Sequence, residues 1–137
     1  MQTKFKCTSH LRGLMLFLAT ATLLPAQAVG FQVGNFHYWT NDTGVSVAGG
    51  YGISGDLVIP EKVTYNGVEY TVTGIWSSGF RSSSITSVVI PGTIKTIEKE
   101  AFSYCHELKT VTIAEGVPVI GSQMFAYCEN LVSVNIP

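Results

Sequence analysis

The amino-acid sequence predicts a β-rich solenoid of 23-residue rungs, with short helical turns on the outer side and a β cap in front. The first observation behind this is a repeat. Residues 85–107, ITSVVIPGTIKTIEKEAFSYCHE, are followed by LKTVTIAEGVPVIGSQMFAYCEN and then by LVSVNIP. A shift of 23 residues superposes Ile85 on Leu108 on Leu131, Val88 on Val111 on Val134, and Ile90 on Ile113 on Ile136. Between these segments it carries Ile94 to Val117, Ile97 to Ile120, Phe102 to Phe125, Tyr104 to Tyr127 and Cys105 to Cys128. A fixed period of roughly 20–50 residues marks stacked units, none of which buries its apolar side alone. The second observation is alternation: Val111 and Ile113 interleave with Thr110, Thr112 and Ala114, so a strand there points one set inward and the other outward. Stacked strands then bond to neighbours about 4.8 Å away, and Phe102 and Phe125 line up as a column.

These residues also carry a family likeness. AFSYCHELKTVTIAEGV and MFAYCENLVSVNIP resemble the BspA-like leucine-rich repeats, whose unit runs roughly Ile, Ala-Phe, Cys, Leu, Val, Ile-Pro, Val. The resemblance covers Asp56 to Pro137 and implies a right-handed leucine-rich repeat array. Residues 31–51 are similar to the β-rich lead-in that precedes such arrays. Ala114 departs from the pattern where Pro follows Ile, and Met124 departs where Ala precedes Phe; both read as tolerated core variation. The resemblance further implies a secreted or surface-exposed protein that takes part in adhesion to host or neighbouring-cell surface proteins.

Residues 1–28 read as a secretory signal peptide. Lys4, Lys6 and Arg12 form a positive leader, Leu14 to Leu24 an apolar run, and Ala26-Gln27-Ala28 a small-residue cleavage site, with cleavage expected after Ala28. The competing reading is an uncleaved anchor, but the run is shorter than the ~20 apolar residues a span needs, and Pro25 interrupts it. No later stretch is long enough to cross a membrane. Beyond the leader, Lys62, Arg81, Lys95, Lys99 and Lys109 stand against nine Asp and Glu, a net charge of −4. Scattered as they are, these cations cannot track phosphates, which excludes nucleic acid.

In order along the mature chain, residues 29–55 read as the cap, with two strands around the turn chemistry of Asn41-Asp42-Thr43-Gly44. Phe36, Tyr38, Trp39 and Tyr51 cover the first rung; the alternative is that Tyr38 and Trp39 form an exposed aromatic patch for carbohydrate or protein. Residues 56–137 read as the repeats. Leu57 to Pro60 is a first repeat-like strand, and residues 57–74 include an inserted hairpin, in which Asn66-Gly67 suits the positive φ angles of a tight turn. Ile75 and Phe80 precede Ile97 and Phe102 by 22 residues, so that rung is one residue short, and RSSS replaces the cysteine-containing turn.

Candidate chemistry is sparse. Cys105 and Cys128 fit small buried fillers, a role suited to free cysteine; a disulfide is the alternative in an oxidising compartment, though parallel side chains give poor bond geometry. Cys105, His106 and Cys128 lack zinc spacing. Glu98, Glu100 and Glu107 read as solubilising acids rather than a hydrolytic pair, and Ser77, Ser78 and Ser82 to Ser84 lack a nucleophile motif. Neither enzyme activity nor a cofactor is expected. What remains is a surface: Ser87, Val89, Thr110, Thr112, Ser133 and Asn135 line one sheet face, small and mostly hydroxylated, of the kind repeat proteins bind protein through. The alternative is a structural spacer in a longer surface protein. The sequence stops within a strand, which predicts a truncated array or end-to-end self-association through that strand.

Overall fold

A computed structural model describes residues 29–49, 52–118 and 120–137. The expected signal peptide, and Tyr51 of the cap, lie outside these residues. Among the described residues ten strands run in order: β1 (Gly30–Val33), β2 (Phe36–Asn41), β3 (Gly44–Gly49), β4 (Ser54–Val58), β5 (Lys62–Tyr65), β6 (Val68–Ile75), β7 (Ser84–Ile90), β8 (Thr96–Ile97), β9 (Thr110–Ile113) and β10 (Ser133–Asn135). They form two sheets. One has the order β1-β2-β3-β6-β5, with β8 also on β6; the other has the order β10-β9-β7-β4.

The second sheet is parallel throughout, which follows from stacking like on like. β7 pairs Ser87 with Thr110 and Ile90 with Ile113, and β9 pairs Thr110 with Ser133. These partners are the residues that the 23-residue shift superposes. In the first sheet β6 pairs Gly74 with Thr96 and Ile75 with Ile97, one residue less in sequence, so the shortfall falls in the serine loop before Ile85. Alternation sets the faces. Ile85, Val88, Ile90, Leu108, Val111 and Ile113 are buried, while Thr110 and Thr112 between them are exposed. Across the interior lies a column of rings: Phe80 on Phe102 at 5.2 Å and Phe102 on Phe125 at 5.9 Å, with Phe36 edge-on to Phe80 at 6.3 Å. Phe36 thus lies edge-on against the first ring of the array.

The outer connections differ from expectation. The described residues contain no helix; where short helical turns were expected, the chain makes successive β-turns. In the first connection Gly79 N–H bonds Trp76 O and Arg81 N–H bonds Ser78 O; later ones repeat this at Ser103 to Glu100 and Ala126 to Gln123. Each connection places two residues at positive φ: Ser78 and Ser82, Glu100 and Tyr104, Gln123 and Tyr127. A residue in the left-handed region reverses the chain and stops helix propagation. The freed N–H groups bond across to the next connection instead, as Phe80 N–H to Ala101 O and Phe102 N–H to Met124 O. Stacking between repeats therefore supplies the bonds a helix would have made within itself.

The lead-in has three strands before β4 rather than two. β1 and β2 are antiparallel, as are β2 and β3, but β3 runs parallel to β6 and so joins the sheet of the array. The hairpin forms as the sequence indicated: β5 pairs β6 around Asn66 (φ 49°) and Gly67 (φ 78°). Phe31 stacks on Tyr65 at 4.5 Å and Tyr38 at 5.4 Å, tying hairpin to lead-in. Two departures from the sequence pattern acquire a reason. Met124 is buried, filling core as expected, whereas Ala114 is only half-buried and its N–H bonds Ile90 O, a bond proline could not make. Ile120, Val134 and Ile136 match buried residues of earlier repeats yet are substantially exposed, because β10 pairs only β9 and Ile120 lies outside any strand.

Candidate functional site

Outward strand positions of the second sheet fall into two straight columns. Parallel in-register pairing puts Asp56, Ser87, Thr110 and Ser133 in one, and Val58, Val89, Thr112 and Asn135 in the other. All six residues named from the sequence are brought together here, exposed apart from half-buried Ser87. Sequence reasoning missed Asp56 and Val58. The signal was present: Val58-Ile59-Pro60 repeats as Val89-Ile90-Pro91, with the hairpin between them disguising the period. Asp56 Oδ1 accepts hydrogen bonds from Ser87 Oγ at 2.7 Å and Thr86 Oγ1 at 3.1 Å, and these hold its carboxyl below the usual carboxylate range. The face is therefore hydroxyl-rich, with one carboxylate at the β4 end.

The aromatic pair of the lead-in divides. Tyr38 is buried, which raises its phenol pKa by desolvation, while half-buried Trp39 points to the other side of the sheet and stacks on Trp76 at 5.3 Å. Asn41 is engaged by neighbours, its amide donating to Ser46 Oγ and its Oδ1 accepting from Thr43 and Thr73. Along the turns runs a second column, Arg81 over Tyr104 at 4.6 Å and Tyr104 on Tyr127 at 4.5 Å. Glu100 takes ion pairs from Arg81 (2.8 Å) and Lys99 (3.1 Å), and Glu98 accepts from Ser77 N–H, so both acids are engaged in bonds between neighbouring connections.

Cys105 and Cys128 are buried free thiols. Each donates to the carbonyl of a phenylalanine one connection earlier, Cys105 to Phe80 O and Cys128 to Phe102 O, both at 3.1 Å. Burial pushes both thiols up in pKa. Ser83 is their counterpart in the short connection, but its hydroxyl donates to the phenylalanine of its own connection, Phe80 O, at 2.8 Å. Among the described residues no group of three or more His, Cys, Asp or Glu is placed to hold a metal ion.

Against known families, residues 60–137 match the BspA type leucine rich repeat region, in six copies. The chain belongs to the BspA-type leucine-rich repeat family. No curated protein matches it. Among solved structures, a leucine rich cell surface protein from Faecalibacterium prausnitzii superposes with a TM-score of 0.67 at 31% identity, over 75% of this chain and 29% of that one. A leucine-rich repeat protein from Bacteroides capillosus gives 0.60 at 25% identity, over 77% and 96%. The pneumococcal vaccine antigen PcpA, at 19% identity and a TM-score of 0.50 over 79% and 38%, shares the fold. These BspA-type likenesses fit a leucine-rich repeat fold made of strands and turns. They also align with a repeat protein of surface type, and no helix among the described residues is long and apolar enough to cross a membrane.

Proposed function

We propose that this chain is a non-catalytic recognition module, secreted or displayed at the cell surface after cleavage of its leader at Ala28, that binds a host or neighbouring-cell surface protein. On this reading the array is a right-handed solenoid of 23-residue rungs, and its partner lies on the columns Ser87, Thr110, Ser133 and Val89, Thr112, Asn135. The observation that carries the reading is their register: six uncharged side chains form two adjoining columns that main chain and side chains of a partner can approach closely. The cell-surface relative from Faecalibacterium supports the location.

The test uses the full chain immobilised against a panel of purified extracellular host proteins. Thr112→Arg with Asn135→Arg places two long cations on the strip and should weaken any binding found by about tenfold or more, with an unchanged melting temperature. Unchanged affinity would move the site elsewhere on the surface. A second reading is a structural spacer without a ligand of its own. It is favoured by the chain spanning only 29% of the Faecalibacterium protein, and would be preferred if no panel member binds above a scrambled-surface control. End-to-end pairing through β10 belongs to the same test, since light scattering over a concentration series separates monomer from self-associated chain.

A further inference from the structure

We draw no further inference here: the strongest candidate, the surface patch that the stacked indoles of Trp39 and Trp76 form on the solvent side of the first sheet, carries nothing, because nothing among the described residues shows what covers it.

Discussion

The lead-in and the array solve the same packing problem in opposite ways. In the array each buried residue meets its own counterpart: Phe102 between Phe80 and Phe125, Val111 between Val88 and Val134. In the lead-in the core is a cluster of unlike neighbours, Phe31 with Tyr38, Tyr65 and Tyr70, held by antiparallel strands and a hairpin. Parallel stacking demands sameness, since a side chain that fits one rung must fit those on either side. An antiparallel cluster demands only that its few members fit one another. Stability in the array is therefore spread along a line, and in the lead-in it is concentrated at one point.

The contrast is sharpest if a ring is removed from each. Phe102→Ala opens a gap with rings on both sides, and the fully buried site should lose about 3–5 kcal/mol in urea unfolding. Phe31→Ala should cost less, because Phe31 keeps 8% exposure and the tyrosines around it can close in. Equal losses would break the comparison. The next effect concerns backbone rather than rings. A methyl at Gly121 would sit 2.5 Å from both Ile97 O and Glu98 O, carbonyls of the adjacent rung that cannot turn aside. Gly121→Ala should thus cost about 1–3 kcal/mol, and should lower protection from hydrogen exchange at Glu100 and Phe102 before it does so in the lead-in.

How far the fold was legible follows the same division. Where identical residues stack, period alone located the partners, and β7, β9 and β10 pair as the 23-residue shift requires. The turns were misjudged because Glu100, Tyr104, Gln123 and Tyr127 carry no glycine to mark positive φ; the array imposes that backbone through cross-rung hydrogen bonds. In the lead-in, Asn66-Gly67 announced its hairpin, but nothing in GVSVAG announced that β3 would run parallel to β6, a choice made by long-range packing. The outward columns of the second sheet were legible from alternation, apart from Asp56 and Val58.

A smaller effect probes the hairpin by itself. Gly67 sits at φ 78° with open space where a Cβ would stand, so Gly67→Ala costs only the left-handed backbone, about 1 kcal/mol. A drop well beyond that would mean the hairpin is coupled to the array more tightly than one shared strand implies. The same melt run on Phe31→Ala distinguishes loss of the cluster from loss of the turn.

The smallest effect separates the regions by pH. Burial raises the thiol pKa of Cys105 and Cys128 in the folded array, so the unfolded chain releases those protons first. Their contribution is fully present below the unfolded thiol pKa of about 8.5 and is lost as pH rises from there through the raised folded values. Tyr38 in the lead-in shifts in the same direction, also by burial, but from an ordinary value near 10, so its loss begins higher. Urea midpoints measured from about pH 7 to 9.5 should therefore decline through the array's thiols, before the lead-in's phenol is reached. Cys105→Ala with Cys128→Ala should flatten that decline while lowering stability at neutral pH. A decline that persists in the double variant would place the titrating group elsewhere, and would sever the link between stacked thiols and the alkaline limb.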